Sequence, residues 1–261
     1  MPRYKLTIEY DGTNYKGWQK QDGLPSVQQS VEEALAHFTQ HTCTLITAGR
    51  TDAGVHALGQ VAHVDLQETW REAKILQAAN GILKLNNHPI SVLKVEKVQD
   101  DFNARFSALK RHYRYRIINR FSNLTVDKNR CWHVRPHLDV EAMNEAAKVL
   151  IGRHDFTTFR STDCQAKSPL RSIDQLDVRL VEHSSYYPAE IEVITSARAF
   201  LHNQVRSLVG SLKLVGEGKW SEKDLKNALE AKDRNACGPV APSCGLYFMK
   251  ADYPPAFTSK S

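Results

Sequence analysis

The sequence has few cysteines, and their spacing indicates neither a metal site nor a set of disulfides. Five cysteines, an odd number, are spread over 261 residues with no C-x-x-C pair. We therefore expect free thiols rather than a disulfide framework or a zinc ribbon. H-E-x-x-H, G-x-G-x-x-G and Walker motifs are absent as well, so the sequence predicts no metal and no nucleotide cofactor.

Long hydrophobic runs are also missing. No apolar run approaches the roughly 18 residues that a membrane span requires, and the opening residues MPRYKLTIEYDG hold no stretch of signal-peptide length. Hydrophobic residues make up 41% and charged residues 25%, which is typical of a globular chain and not of a disordered one. We expect a folded, cytoplasmic protein with no membrane segment.

Positive charge is in modest excess and is concentrated in one segment. Lys and Arg number 35 against 29 Asp and Glu, which gives a net charge of +6. Residues 105–120, RFSALKRHYRYRIINR, contain six Arg or Lys and no acid, with Phe106, Tyr113 and Tyr115 among them. A basic segment interleaved with aromatic side chains favours a polyanionic partner such as a nucleic acid.

In the first hundred residues, segments of period 2 alternate with segments of period 3.6, as in strands crossed by helices. Ser26 and Gln29 form a capping box that opens a helix ending near Gln40. A second helix is predicted over 69–79. The predicted strands of this half are 3–10, 43–48, 60–66 and 89–98.

The rest of the chain repeats this order loosely. A strand over 111–118 precedes a helix that begins at Asp139, and a longer helix over 201–215 ends at Gly216 and Gly218. Ser221 with Asp224 caps a short helix. The predicted strands that follow Asp139 are 171–181 and 188–196, separated by the turn-rich 182–187, and 245–253.

These patterns predict an α+β fold built from two similar α/β halves. We expect their antiparallel or mixed sheets to join into one extended sheet, with helices on one side and an active-site cleft between the halves. The predicted domains are 1–105, which carries the loop at 48–59, and 106–261, which completes the cleft.

The loop AGRTDAGVHALG at 48–59 concentrates features of an active site. Its glycines permit tight turns, while Arg50, Asp52 and His56 place charge and polarity on a short stretch. On local pattern alone, a plain turn in which Asp52 caps its own backbone is the favoured interpretation. A metal site formed by His56, His63 and Asp65 is disfavoured, because no ligand motif supports it.

The segment GRTDAGVHA resembles the signature of the tRNA pseudouridine synthase A (TruA) family. The resemblance continues in family order over nearly the whole chain. The other matching segments are YDGTNYKGWQ at 10–19, SVQ at 26–28, GQVAH at 59–63, DDFNARFSALKRHYRYRI at 100–117, DFTTFR at 155–160, AFLHNQVRSLVG at 199–210 and GLYF at 245–248. One departure is NGILKLNNHPISV at 80–92, where the family has a shorter turn.

The resemblance implies an isomerase that converts uridine to pseudouridine at positions 38 to 40 of the tRNA anticodon stem-loop, without metal or cofactor. Asp52 matches the catalytic aspartate of the family, and Arg206 matches the arginine beside it. Arg50 matches the residue that fills the space of the flipped nucleotide, and Tyr113 the active-site tyrosine. The implied tRNA contacts are Phe102, Asn103, Ala104, Arg105 and Phe106, and also Asp163, Cys164, Gln165, Ala166 and Lys167.

The residues alone also allow interpretations in which these side chains have no catalytic role. By spacing, Arg206 is a solvated arginine on a helix face, Arg50 could simply pair with Asp52, and Tyr115 is a core tyrosine. Since family members are dimers, a homodimer that holds tRNA with both subunits is expected.

Two classes of function therefore remain: an RNA-modifying isomerase, and a non-catalytic RNA-binding protein with paired RRM-like sheets. Asp52 discriminates between them. A carboxylate that faces phosphate repels a ligand that is only to be held, whereas the isomerase requires it. The intact GRTD segment favours catalysis.

Overall fold

The computed structural model describes residues 1–181 and 190–257. Within these ranges the strands are β1 (Arg3–Tyr10), β2 (Ile46–Thr47), β3 (His56–Asp65), β4 (Ile90–Val98), β5 (Lys110–Asn119), β6 (Trp132–Val134), β7 (Gly152–Asp155), β8 (Leu170–Val181), β9 (Glu190–Ala197) and β10 (Leu246–Asp252). The α-helices are α1 (Val27–Thr39), α2 (Glu72–Leu85), α3 (Val140–Ala147), α4 (Gln204–Gly216) and α5 (Glu222–Ala231). Strands pair both in parallel and antiparallel, and the predicted α+β class is confirmed.

The chain divides into two compact units. The first contains Met1–Arg111 together with the chain from Tyr247 onward, and the second contains His112–Leu246. The sequence placed its domain boundary after residue 105 and kept the C-terminal strand in the second half. In the described ranges, no helix is both long enough and apolar enough to cross a membrane.

In the first unit, four strands lie in the order β4, β1, β3, β10. β1 is antiparallel to both of its neighbours, while β10 runs parallel to β3, with Tyr247 opposite His56. The core of this unit is formed by apolar side chains from β1 and from the inward faces of α1 and α2. Its fully buried members include Leu6, Ile8, Val31, Leu35, Ile75 and Leu83.

The two helices of this unit depart in detail from the sequence prediction. The Ser26 hydroxyl accepts a hydrogen bond from the Gln29 backbone, as predicted, but the Gln29 amide donates to Glu33 rather than closing the capping box. α2 runs past the predicted end at residue 79. Asn80 does not stop it, because its side chain exchanges two hydrogen bonds of 2.8 Å with the backbone of Val92 in β4.

Two further strand predictions in this unit need correction. The predicted strand 43–48 reduces to Ile46–Thr47, which pairs with His63 and Ala62. β3 begins at His56 and not at residue 60, so the second half of the predicted loop 48–59 is extended strand. Pairing of Tyr247 with His56 supplies the reason, since it adds partners that the loop sequence does not contain.

In the second unit, β5, β9, β8 and β7 are neighbours in that order, and β6 pairs in parallel with β5. β6 and β7 are short strands that the sequence patterns did not predict. The capping box of Ser221 and Asp224 at α5 is confirmed. α4 begins at Gln204, later than predicted, because Leu201 donates its backbone N–H to the Gln204 side chain and Asn203 is left-handed. The predicted turn 182–187 and residues 188–189 lie outside the described residues.

Candidate active site

The loop that carries Asp52 is fixed through its backbone carbonyls. Gln60, fully buried in β3, donates its side-chain amide to the Gly49 carbonyl at 2.8 Å. The backbone N–H of buried Trp18 donates to the Thr51 carbonyl at 3.0 Å. Because paired carbonyls leave the loop little freedom, it forms a preorganised support for the side chains on it.

Two glycines let the segment 10–19 pack directly against this loop. Gly17 has a φ of +100°, and a Cβ there would lie 2.6 Å from the Thr51 carbonyl oxygen. A Cβ at Gly12 would lie 2.0 Å from the carbonyl oxygen of Val55. Only glycine fits at these positions, which explains physically why the YDGTNYKGWQ segment accompanies the GRTD segment.

Asp52 and Arg50 both lie on this loop. Asp52 is half-buried and Arg50 is exposed. The Asp52 carbonyl accepts a hydrogen bond from Val55 N–H at 3.1 Å, so the tight turn that the local pattern favoured does exist. A turn and an active-site carboxylate are compatible, because this hydrogen bond of the turn is made by the backbone carbonyl of Asp52.

The Tyr10 hydroxyl lies 2.7 Å from the Thr51 hydroxyl, next to Asp52 in the sequence. Burial raises the pKa of Tyr10 to about 12, so this phenol stays neutral at physiological pH. It serves the loop as a neutral hydrogen-bonding group.

His56, at the start of β3, is buried and stacks on Tyr247 with a ring-centroid separation of 4.8 Å. Its Nδ1 accepts a hydrogen bond from Gly12 N–H at 3.1 Å, and an Asp11 carboxylate oxygen lies at the same distance from that nitrogen. The ring therefore joins the segment after β1 to the end of the Asp52 loop.

The other two residues of the metal alternative are engaged elsewhere. His63 Nδ1 accepts a hydrogen bond from Ala104 N–H at 3.1 Å, and burial, with the nearby Arg3 charge, lowers the pKa of His63. Asp65 receives two hydrogen bonds of 2.7 Å from Arg3, which lower its pKa. Over residues 1–181 and 190–257, no cluster of three or more His, Cys, Asp or Glu could hold a metal ion. The five cysteines are free thiols, as predicted.

The first implied tRNA-contact segment is part core and part surface. Phe102 and Ala104 are completely buried, with the Phe102 ring 5.0 Å from that of Tyr253. The Asn103 side chain accepts hydrogen bonds from the backbone N–H groups of Arg105 and Phe106, at 2.9 and 3.0 Å. This turn leaves Arg105 and Phe106 exposed, with the Arg105 guanidinium 5.5 Å from the Phe106 ring centre. Only the latter two present large side chains to a ligand.

Arg111 connects this segment to the Asp52 loop. Its buried guanidinium donates two hydrogen bonds to the Ala48 carbonyl, at 2.8 and 3.2 Å. It also donates to the carbonyls of Ala108 and Arg105. The sequence patterns did not single out Arg111. The signal was the strand alternation, which places a cation at 111 on the same face as Tyr113 and Tyr115.

The two faces of β5 have different contacts, since one carries Tyr113 and Tyr115 and the other carries Arg114 and Arg116. Tyr113 is half-buried, with its ring edge-on to Phe200 at 5.3 Å. Tyr115 is fully buried and donates its hydroxyl to the Pro242 carbonyl at 2.7 Å, which confirms its predicted core position. On the other face, Arg114 pairs with Glu192 at 3.0 Å and Arg116 with Glu190 at 2.8 Å.

Two of the six cations at 105–120, Arg114 and Arg116, are therefore neutralised by acids of the protein itself. The local sequence pattern predicts that both cations face a polyanion. The acids that neutralise them lie 78 and 74 residues away in the chain, so a local count of charges could not include them.

Arg206 lies near the start of α4 and is half-buried. It donates its Nε–H to the Ala241 carbonyl at 2.7 Å and an Nη1–H to the Asn203 side chain at 2.8 Å. The Ala241 N–H in turn donates to the Arg206 carbonyl at 3.1 Å. These bonds orient the guanidinium and exclude a freely solvated helix-face arginine.

The second implied tRNA-contact segment, Asp163–Lys167, lies in the loop between the short 3₁₀ turn at Thr157–Phe159 and β8. Asp163, Gln165 and Lys167 are exposed, whereas Cys164 and Ala166 are half-buried. Its start is organised by Ser161, whose carbonyl accepts the Cys164 N–H at 3.1 Å.

Comparison with known proteins identifies the class. The sequence profile of the family described as tRNA pseudouridine synthase matches residues 6–107 and 146–254. These ranges cover most of the chain and include Arg50, Asp52 and Arg206, while Tyr113 lies between them. The chain belongs to the tRNA pseudouridine synthase family, as the sequence resemblance predicted.

Individual relatives carry a more specific name than the family does. The protein named tRNA pseudouridine synthase A from Rhizobium meliloti is 55% identical over 253 residues, which cover 97% of this chain and 100% of the relative. The proteins of the same name from Afipia carboxidovorans and Parvibaculum lavamentivorans are 56% and 53% identical, each over 97% of this chain and 100% of the relative.

Proposed function

We propose that this protein is an isomerase that converts uridine to pseudouridine at positions 38, 39 and 40 in the anticodon stem-loop of tRNA. Its membership of the tRNA pseudouridine synthase family and its full-length similarity to proteins named tRNA pseudouridine synthase A support the reaction and the substrate. The observation that carries the proposal is a half-buried Asp52 on a loop whose backbone is fixed by buried partners.

The reaction breaks the bond between N1 of uracil and C1′ of ribose, and then joins C1′ to C5 of the same base. C5 loses a proton and N1 gains one, so substrate and product are isomers and no cofactor is consumed. A carboxylate that is ionised at neutral pH and lies against the ribose or the base can assist this exchange. In the proposal Asp52 is that catalytic carboxylate.

Three other residues complete the proposed machinery. Arg206 is the second catalytic residue, whose cation complements the negative charge of the catalytic carboxylate in the proposal. Tyr113 stacks against the flipped uracil, since its half-buried ring leaves part of its surface open. Arg50 is exposed on the Asp52 loop and fills the position of the nucleotide that leaves the base stack.

The segments Phe102–Phe106 and Asp163–Lys167 are the proposed tRNA contacts. In the first, Arg105 and Phe106 make the side-chain contacts, and buried Phe102 and Ala104 hold the turn. The working unit in the proposal is a homodimer in the cytoplasm, with each tRNA touching both subunits.

Incubation with an unmodified tRNA transcript tests the function. Transcripts with uridine at 38, 39 and 40, followed by mapping of pseudouridine at nucleotide resolution, are expected to show product there. A transcript with cytidine at all three positions is the control and gives none. Tight binding of tRNA without any product would instead establish the non-catalytic RNA-binding alternative, which no finding favours.

A further inference from the structure

The loop between β5 and β6 presents an aromatic ring to solvent. Phe121 is 85% exposed, and Val126 in the same loop is 84% exposed. Single exposed apolar side chains are common on protein surfaces, so exposure alone indicates no site. Phe121 differs from such a side chain because hydrogen bonds order its loop and cations surround its ring.

Two arginines organise the chain around the ring. Arg120 donates to the carbonyls of Ser122 and Asn123 at 3.1 and 2.7 Å. Arg135, which follows β6, donates to the Asn123 side chain at 2.8 Å. Its guanidinium carbon also lies 6.0 Å from the Phe121 ring centre, within cation–π range. We call this ring and guanidinium the Phe121 platform.

Residues 120–135 contain four cations and one acid, Asp127. Asp127 is half-buried and contacts Arg116 at 3.4 Å, so its charge is directed toward the protein interior. Lys128 and Arg130 are exposed in the same loop. Unlike Arg114 and Arg116 of β5, which face Glu192 and Glu190, this loop therefore presents net positive charge to solvent.

An exposed aromatic ring beside cations is suited to an unpaired nucleotide, whose base stacks on the ring and whose phosphate faces the cations. A paired A-form helix offers no free base face for such stacking. The platform lies between the two ranges that match the family profile, in residues 108–145.

We infer that the Phe121 platform binds an unpaired nucleotide of the substrate tRNA, outside the residues assigned to catalysis and to the two contact segments. The inference rests on the proposed function for the identity of the RNA. The base stacks on Phe121, and Arg135 and Lys128 face its phosphates.

Replacement of the ring tests the stacking. Phe121→Ala is expected to weaken tRNA binding about tenfold, the loss typical of one base stacked on an aromatic side chain. Phe121→Trp retains affinity, and kcat at saturating tRNA stays unchanged in both variants. Leu85→Ala is the matched control, since Leu85 is an apolar side chain on α2 that is 75% exposed, and it leaves the Kd unchanged.

Salt dependence tests the charge separately. Arg135→Ala is expected to reduce the slope of log Kd against log salt by about 0.7 to 0.9, the value of one phosphate contact, whereas Phe121→Ala leaves the slope unchanged. Lys148→Ala is the control, because Lys148 is an exposed cation paired with Glu145 at 2.6 Å.

A Kd of Phe121→Ala within twofold of wild type overturns the inference. A lower sedimentation mass of that variant with an unchanged Kd also overturns it, because the ring then belongs to a contact between copies of this chain. If wild-type protein makes no pseudouridine but binds tRNA in a Phe121-dependent manner, the proposed function fails and the platform stands.

Discussion

At the scale of single residues, Asp52 combines a fixed backbone with a half-buried carboxylate. Asp52→Asn keeps the size and the turn, so the free energy of unfolding should change by no more than about 0.5 kcal/mol. The Kd for tRNA should stay near that of wild type, while kcat falls by about 10⁴-fold or more, as for other essential catalytic groups. Denaturant unfolding, filter binding and pseudouridine assays measure the three quantities. Substantial turnover by Asp52→Asn contradicts its catalytic role.

Arg111 is expected to act as a positioning residue, because its guanidinium ties the Ala48 carbonyl to that of Arg105. Arg111→Lys keeps the charge but cannot reach all of these carbonyls, so unfolding free energy should fall by about 1–3 kcal/mol. We also expect kcat to fall more than KM rises, as the Asp52 loop loosens. Arg114→Lys is the matched control on the same strand. Equal losses of kcat in both variants would disprove a specific link to the loop.

At the scale of elements, β3 holds the turn at 102–106 through His63, which accepts the Ala104 N–H. The pKa of His63 is lowered from 6.5, so the folded state binds a proton less readily than the unfolded chain. The lowered pKa of His63 therefore contributes stability that is fully present above about pH 6.5 and is lost as the pH falls below that value toward the folded pKa.

We predict that the free energy of unfolding of the wild-type protein falls as the pH is lowered from about 7 to about 5. The fall should be smaller in His63→Asn, because asparagine still offers an acceptor to the Ala104 N–H but does not titrate. Urea denaturation of both proteins across this range gives the difference. Parallel curves for the two proteins would show that His63 contributes no proton linkage.

At the scale of the whole molecule, the net charge of +6 predicts tRNA binding that weakens steeply with salt. Arg114 and Arg116 should contribute little to that slope, because Glu192 and Glu190 already pair with them. Arg105→Ala should reduce the slope, whereas Arg114→Gln should not. Binding isotherms at four or more salt concentrations measure it. A flat log–log plot for wild type would exclude extensive phosphate contacts.

A homodimer should sediment at about twice the chain mass of 29.5 kDa. One variant is Asp52→Ala, and the other is the double variant Lys167→Ala with Arg105→Ala, which lacks tRNA-docking cations. If each tRNA touches both subunits, a mixture of the two proteins regains part of the activity. The heterodimer then combines an intact active site with an intact docking surface. A monomer in sedimentation, together with an inactive mixture, would rule out the dimer but not the role of Asp52.

The sequence by itself determined those features that depend on neighbouring residues. Apolar periodicity located β1 and α1, and the Ser221–Asp224 pair located the start of α5. The GRTDAGVHA motif identified the family and singled out Asp52. Each of these signals lies within a few positions along the chain, where side-chain spacing and backbone hydrogen bonding act directly.

Only the tertiary structure decided which partners distant groups would find. It placed β10 beside β3, turned Arg114 and Arg116 onto glutamates of β9, and made Arg111 a link between two loops. Exposed Phe121 and buried Phe102 both stand among polar and charged residues in the sequence, and local pattern does not separate them. Their difference arises from long-range packing, since burial and charge pairing depend on residues that only folding brings together.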